Sequence, residues 1–190
     1  DLCASRGLGD VYKRQIYCAS NMNDVLTRFI ASGTLEPKET MPTVAPSMDI
    51  QIPSSLERLI YDLEGDTSSF YNQLQSEKVA TLSEDATKKL QSIFSSKSFD
   101  DEMILREIKD FNKNYDWIVD PHTATAVSEK VTFASNLPVV GVATASPEKF
   151  SNVISSVISS FSVKNSENTE DYIVCRSDSS TVENTIKEYF

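Results

Sequence analysis

The sequence predicts an α/β fold, and three observations support this prediction. Residues 139–145 (VVGVATA) form an apolar run too short for a helix and rich in valine, which is typical of a strand buried on both faces. The run leads into Ser146-Pro147, a favourable helix start with serine as the cap and proline in the first turn. Amphipathic helical spacing recurs through the middle of the chain. We therefore expect a buried strand that leads into a capped helix, a unit whose strand ends form ligand crevices in open sheets.

Composition narrows the classes of partner. The chain has 190 residues and a net charge of -10, and such an acidic protein repels nucleic acid and anionic membranes. Its 3 cysteines lie far apart, which favours a reducing compartment over a zinc site or a disulfide scaffold. With His122 as the single histidine, a multi-histidine metal site is excluded. We expect a cytoplasmic protein with no metal, nucleic-acid or membrane partner, and the sequence leaves the oligomeric state open.

The N-terminal part predicts one strand and one helix. Residues 1–15 show no hydrophobic periodicity and resemble translated adapter sequence, so we expect a non-native leader or a disordered arm there. Ile16–Ser20 predicts a strand, and Asn21 or Asn23 is expected to cap a helix that ends at Gly33. Residues 34–53 predict a loop with several prolines.

The middle of the chain predicts helices. Ser54 to Glu57 fits a capping box, and four apolar stripes follow at helical spacing. The serine-rich stretch 95–98 is interpreted as local bias in composition. The stripes contain Leu56, Leu59, Ile60 and Leu63, then Phe70, Leu74 and Val79, then Ala86, Leu90, Ile93 and Phe94, then Met103, Ile104, Ile108 and Phe111.

Strand character returns at residues 117–119 (WIV), and Asp120-Pro121 then starts a helix whose buried side is expected to extend to Val131 and Phe133. His122 lies in its first turn, where the helix N-terminus favours the neutral imidazole. Residues 172–175 predict an edge strand, and residues 179–190 predict a final helix.

Candidate chemistry is limited to polar side chains at strand and helix ends. The Thr144 hydroxyl lies at the predicted carboxyl end of the buried strand, where it suits a neutral ring nitrogen or a phosphate. Ser47 and Asp49 either contact a ligand or form a turn, and His122 is either a ligand-facing group or a structural histidine. No nucleophile–histidine–acid set can be assembled.

Four segments, in this order and spacing, resemble the threonine synthase family. Together they span about residues 16–160, most of the chain, so the match is more specific than any single motif. The segments are 18–26 (CASNMNDVL), 46–50 (PSMDI) followed by 56–59 (LERL), 120–124 (DPHTA) and 143–150 (ATASPEKF).

The resemblance implies a fold, an activity and a cofactor. The fold is α/β, an incomplete three-layer parallel sheet of the fold-type-II pyridoxal-phosphate enzymes with a helical insertion. The activity is conversion of O-phospho-L-homoserine and water to L-threonine and phosphate. The resemblance also implies that Thr144 contacts the pyridine nitrogen of pyridoxal phosphate. It makes pocket candidates of Asn21, Asn23, Ser47, Asp49, His122 and Ser146, although the family often has histidine where Ser146 stands.

The same resemblance divides the chain and exposes a departure. Residues 16–52 and 116–160 correspond to the large cofactor domain, 53–115 to the helical insertion and 161–190 to a C-terminal strand–helix segment. The Schiff-base lysine and the phosphate-binding loop of the family correspond to a segment upstream of these motifs. We therefore expect an inactive C-terminal fragment that has no catalytic residue of its own. The alternatives are another fold-type-II lyase, such as a threonine dehydratase or a threonine synthase-like enzyme, and a non-catalytic α/β binding module.

Overall fold

The computed structural model describes residues 16–128, 140–162 and 179–189. These ranges contain four short strands and eight helices, with 3₁₀ turns at Pro46–Met48 and Pro147–Phe150. Within them, no helix combines the length and the apolar character needed to cross a membrane. The strands are β1 (Ile16–Ser20), β2 (Thr34–Leu35), β3 (Ala80–Thr81) and β4 (Phe94–Ser98), and the helices are α1 (Val25–Ser32), α2 (Leu56–Glu64), α3 (Ser68–Glu77), α4 (Glu84–Ile93), α5 (Asp101–Tyr115), α6 (Pro121–Val127), α7 (Ser151–Val157) and α8 (Ser179–Tyr189).

A parallel strand pair organises the described part of the chain. β1 pairs with β4 in a register that runs from Ile16 opposite Phe94 to Ser20 opposite Ser98. The two strands therefore end at the same edge, where the Phe99 N–H donates to the Ser20 carbonyl at 2.9 Å. The prediction of a strand at Ile16–Ser20 is confirmed. Phe94, which the sequence placed in a helical stripe, instead begins β4, and the serine-rich stretch 95–98 continues this strand, so the span 53–115 is not wholly helical.

Two hydrophobic clusters lie on either side of this pair. The first cluster joins α1 to helices α2–α4, with Phe29, Leu56, Ile60 and Leu90 fully buried. A small antiparallel pair, β2 with β3, closes this cluster, although the sequence predicted loop at Thr34–Leu35. The second cluster joins α5, α6 and α7 to the loop that carries Met48. Its fully buried members include Phe99, Ala45, Ile104, Ile108, Ala124 and Ile154.

Helix starts and ends follow the local sequence at most positions. Side chains of Ser83, Asp100, Asp120 and Ser146 accept capping hydrogen bonds, and the sequence predicted the helix starts at Asp120 and Ser146. α1 instead starts after Asp24, so the prediction that Asn21 or Asn23 caps it is wrong. α2 starts after Ser55, whose side chain makes no cap hydrogen bond, so the predicted capping-box start is not formed there.

Two predicted strands are absent from the described residues. Residues 117–119 are irregular. The helix α6 that follows them ends at Val127. Val131 and Phe133, which the sequence placed on the buried side of this helix, lie outside the described residues. Residues 140–145 are also irregular, with Val140 and Val142 77% and 57% exposed. The prediction of a buried strand is therefore wrong at these positions. A parallel strand requires a neighbouring strand, and the structure places none beside 140–145 in the described ranges.

The remaining predictions about the chain ends have mixed outcomes. Ser146 and Pro147 start a 3₁₀ turn that continues into α7, as the sequence predicted. The final helix is also confirmed, as α8 over Ser179–Tyr189. The leader at 1–15 and the edge strand at 172–175 fall outside the described residues.

Gly33 ends α1 in a left-handed conformation, with φ of +73° and its N–H donating to the Phe29 carbonyl. A Cβ at this position would lie 2.2 Å from Thr87 Oγ1. Gly65 ends α2 with φ of +80°, but no atom lies within 4 Å of the position its Cβ would take. The two glycines therefore differ in packing while sharing the same backbone requirement.

We expect Gly33→Ala to lower the free energy of unfolding more than Gly65→Ala does. Both variants carry the left-handed penalty of about 1–2 kcal/mol, and only the first also meets Thr87. Urea denaturation of each variant measures the difference. Adding Thr87→Ala to Gly33→Ala should recover part of the excess loss, and equal losses in the two single variants would contradict the described packing.

Candidate functional site

Asp49 links three polar side chains in one cluster. Its Oδ1 accepts hydrogen bonds from Asn21 Nδ2 at 2.6 Å, Asn23 Nδ2 at 2.9 Å and Thr43 Oγ1 at 2.8 Å. Its Oδ2 accepts the Thr43 N–H at 3.1 Å. Asn21 and Asn23 are buried just beyond the carboxyl end of β1, so this amide–carboxylate cluster fixes the following loop against the strand end.

The loop over residues 41–51 is held at several further points. Asn23 exchanges two hydrogen bonds of 2.9 Å with the backbone of Met41, and Asn21 donates to the Ala45 carbonyl at 3.2 Å. From α5, Asp101 accepts the Val44 N–H at 3.2 Å. The Pro46–Met48 turn is thereby presented beside α6, with its exposed Ser47 toward that helix.

Asp120 is the centre of a second cluster, at the start of α6. Its side chain is fully buried, and Oδ1 accepts the His122 N–H at 2.9 Å and also faces His122 Nδ1 at 2.9 Å. Oδ2 accepts the Thr123 hydroxyl, and the Thr123 N–H also reaches Oδ1 at 3.4 Å. The capping geometry that the sequence predicted at Asp120-Pro121 therefore also orients two side chains of the first helical turn.

His122 connects this cluster to the Pro46–Met48 turn. The Ser47 N–H donates to His122 Nε2 at 3.1 Å. Because a backbone N–H can only donate, Nε2 carries no proton, and the Nδ1 proton faces Asp120. His122 is therefore a neutral, buried imidazole bonded on both nitrogens. Its ring also contacts Phe150, with ring centroids 4.7 Å apart.

Thr144 lies on the other side of the same cluster. Its N–H donates to Thr123 Oγ1 at 3.2 Å, while the residue as a whole is exposed. Among the described residues, none forms a hydrogen bond with the Thr144 hydroxyl. Ser146 follows as the cap of the next turn, accepting the Glu148 N–H at 3.4 Å. The backbone at Thr144 is thus held by the Thr123 side chain.

The structure brings the sequence-derived candidates into two linked groups. Ser47, His122 and Thr144 come together around Asp120, and Asn21, Asn23 and Asp49 hold the loop that delivers Ser47. Ser146 acts as a helix cap beside the first group. The roles of these residues toward a ligand stay predictions, because no structural feature here tests them.

Sequence reasoning missed two members of these clusters. Thr43 belongs to no motif, and its hydrogen bonds with Asp49 form only when the loop is folded. Thr123 belongs to the 120–124 motif, but its hydrogen bond to Thr144 joins positions 21 residues apart. The Asp120-Pro121 signal identified the cap without revealing that the same carboxylate serves two segments.

The chain is similar to curated threonine synthases over most of its own length. It is 30% identical to the Pseudomonas aeruginosa threonine synthase over 147 residues, which is 74% of this chain and 31% of that protein. It is 32% identical to the Corynebacterium glutamicum threonine synthase over 169 residues, 81% of this chain and 35% of that protein. Threonine synthase-like 1 of Homo sapiens is 30% identical over 169 residues, 85% of this chain and 23% of that protein. No family model matches the chain.

Solved structures give the same result for the fold. A pyridoxal-phosphate-bound threonine synthase from Brucella melitensis superposes with a TM-score of 0.72 at 30% identity, covering 76% of this chain and 32% of that one. Yeast threonine synthase superposes with a TM-score of 0.71 at 24% identity, covering 92% of this chain and 42% of the yeast chain. The resemblance and the fold class are therefore confirmed, and the chain spans about a third of the length of the two bacterial threonine synthases.

The electrostatics of the Asp120 cluster give it a defined pH dependence. Burial alone would raise the pKa of Asp120, but hydrogen bonds from the side chains and backbone of His122 and Thr123 outweigh burial and lower it. A depressed pKa in the folded state contributes stability that is fully present above the ordinary aspartate pKa of about 3.9 and is lost as pH falls through the folded-state value.

We expect Asp120→Asn to lower the free energy of unfolding at neutral pH by about 1–3 kcal/mol, because buried donors lose a charged acceptor. The difference from the unsubstituted protein should shrink as pH falls from the ordinary aspartate pKa through the lower folded-state value, because Asp120 then becomes protonated and uncharged like asparagine. Urea denaturation across this range measures the effect. Asp85→Asn, at an exposed position of α4, is the charge-matched control. A difference that does not change with pH would contradict the assignment.

Proposed function

We propose that this chain, which is similar over about three quarters of its length to part of several threonine synthases, is the C-terminal portion of such an enzyme. The complete enzyme would convert O-phospho-L-homoserine and water to L-threonine and phosphate. The observation that carries the proposal is the convergence of Ser47, His122 and Thr144, which come from three of the four resembling motifs, around one buried carboxylate.

The residues present fit one part of a pyridoxal-phosphate site. The Thr144 residue is exposed, and no described residue occupies its hydroxyl. A neutral hydroxyl suits an unprotonated pyridine nitrogen, and unlike a carboxylate it does not hold a proton there. When bound, the cofactor would supply an electron sink for bond cleavage next to the substrate amino group. Thr144 would orient the ring, with its backbone fixed through Thr123.

Other parts of such a site are not supplied by the described residues. Covalent catalysis requires a lysine activated in a closed pocket, whereas Lys149 is exposed in the Pro147–Phe150 turn. Lys97 lies on β4, with its ammonium 5.7 Å from the centre of the Phe99 ring. We therefore propose that the lysine and the phosphate-binding loop belong to a segment outside this chain and that the chain alone is inactive.

The exposed valines at 140 and 142 support the same proposal. Val140 and Val142 are 77% and 57% exposed in the segment that the sequence predicted as a buried strand. A self-contained α/β binding module would bury such a segment within its own sheet. Their exposure therefore favours a segment that pairs with a strand of the complete enzyme over an independent module.

A second candidate is another enzyme of the same fold, either a threonine synthase-like enzyme or a threonine dehydratase. The human threonine synthase-like protein is as similar to this chain, at 30% identity, as the Pseudomonas threonine synthase is. Substrate preference separates these candidates, since a threonine synthase consumes O-phospho-L-homoserine, whereas a threonine dehydratase consumes threonine.

We expect the complete polypeptide that contains this chain to release phosphate and form threonine from O-phospho-L-homoserine when loaded with pyridoxal phosphate. Thr144→Val should lower kcat by at least about tenfold, since it removes the proposed hydroxyl contact to the ring, and Thr144→Ser should restore most of the activity. A shift in the absorption spectrum of the bound cofactor in Thr144→Val, reversed in Thr144→Ser, would provide a second measurement.

The 190-residue chain by itself serves as the control. Borohydride treatment in the presence of pyridoxal phosphate should leave no specific pyridoxyl-lysine, and no threonine should form. Threonine formation by the isolated chain would overturn the inactivity proposal. Activity of the complete polypeptide on threonine alone would support the dehydratase instead.

A further inference from the structure

We infer that Asp120 is a positioning residue whose two carboxylate oxygens each fix one side of the proposed cofactor site. The inference rests on the proposed function for its purpose, but its geometry belongs to this chain alone. Oδ1 acts through His122 on the Ser47 turn, and Oδ2 acts through Thr123 on the Thr144 segment. We call these connections the Ser47 arm and the Thr144 arm.

In the Ser47 arm, Asp120 orients the imidazole of His122. Asp120 Oδ1 faces His122 Nδ1 at 2.9 Å and thereby selects the tautomer with the proton on that nitrogen. The other nitrogen is then free of a proton and accepts the Ser47 N–H at 3.1 Å. With the opposite tautomer, Nε2 would present a hydrogen to the Ser47 N–H. The Asp120 carboxylate therefore determines whether the turn can dock on α6.

The Thr144 arm transmits the orientation of a hydroxyl. Thr123 Oγ1 donates its single hydrogen to Asp120 Oδ2, so its lone pairs are left to accept the Thr144 N–H at 3.2 Å. This hydrogen bond fixes the backbone one bond away from the side chain proposed to face the ring. A hydroxyl with its hydrogen turned toward Thr144 would repel that N–H.

Both arms start from side chains that are held rigidly. The Asp120 side chain is fully buried, and His122 and Thr123 are 8% and 5% exposed. Water can therefore replace their hydrogen bonds only when the structure opens locally. The ring of His122 is further held by Phe150, which lies shortly after Thr144 in the chain. One buried carboxylate therefore sets the relative position of two segments separated by nearly 100 residues in sequence.

Hydrogen exchange of two backbone amides tests the two arms separately. In the 190-residue chain, we expect Thr123→Val to accelerate exchange of the Thr144 amide by at least about fivefold and to leave the Ser47 amide unchanged. His122→Phe keeps a ring beside Phe150 but removes both nitrogens, and it should accelerate the Ser47 amide while leaving the Thr144 amide unchanged.

Rescue and control variants distinguish positioning from a general loss of stability. Thr123→Ser retains the hydroxyl and should restore slow exchange at Thr144. Thr125→Val removes a buried hydroxyl of the same helix that donates to the His122 carbonyl at 2.8 Å, and it should change neither amide. Asp120→Asn has a single acceptor oxygen and should release at least one of the two amides.

The outcomes assign failure to one proposal or the other. If Thr123→Val and His122→Phe accelerate both amides equally, or if Thr123→Ser does not restore Thr144, the two-arm inference is overturned. The exchange measurement uses no cofactor, so this failure leaves the proposed function standing. Failure of the complete polypeptide to form threonine would overturn the proposed function and leave the two arms as a property of the fold.

Discussion

The buried carboxylate of Asp120 is the constraint on which the arrangement of the site depends. A charged group without exposure to water must be hydrogen-bonded, and within the described part of the chain Asp120 meets this requirement with donors from His122 and Thr123. Those donors are then no longer free to adopt other orientations. Satisfying one buried charge therefore fixes an imidazole tautomer and a hydroxyl direction, and through them the backbone at Ser47 and Thr144.

The second polar cluster, around Asp49, fixes the loop over residues 41–51 against the end of β1. Asp49 gathers the side chains of Asn21, Asn23 and Thr43, and the loop between β2 and α2 folds back over the end of β1 as a result. Residues that the sequence nominated as pocket-lining groups thus have a demonstrated structural role. Their hydrogen-bonding groups are engaged with one another and with the loop that carries Ser47.

The sequence predicted those features of the fold that are set by local chemistry. Gly33 ends α1 in the left-handed conformation, and Asp120-Pro121 and Ser146-Pro147 start helical turns, because cap and turn preferences act within a few residues. β4 was missed because Phe94–Ser98 has no alternating apolar pattern, and its strand state comes from pairing with β1. The valine-rich run at 140–145 was predicted as a strand but is irregular, because a strand needs a neighbouring strand and the described residues provide none there.

The candidate site shows the same difference between local features, which the sequence predicts, and long-range contacts, which it does not. Its candidate residues were found through motifs, but the hydrogen bonds that join Thr144 to Thr123 and Ser47 to His122 connect positions 21 and 75 residues apart and could not be derived from local pattern. A structure of the complete polypeptide with pyridoxal phosphate bound is the most direct test of the account. We expect Thr144 Oγ1 to lie within about 3 Å of the ring nitrogen, with Asp120 still joined to Ser47 through His122 and to Thr144 through Thr123. A ring nitrogen contacted by a carboxylate, with Thr144 turned away from the cofactor, would contradict it.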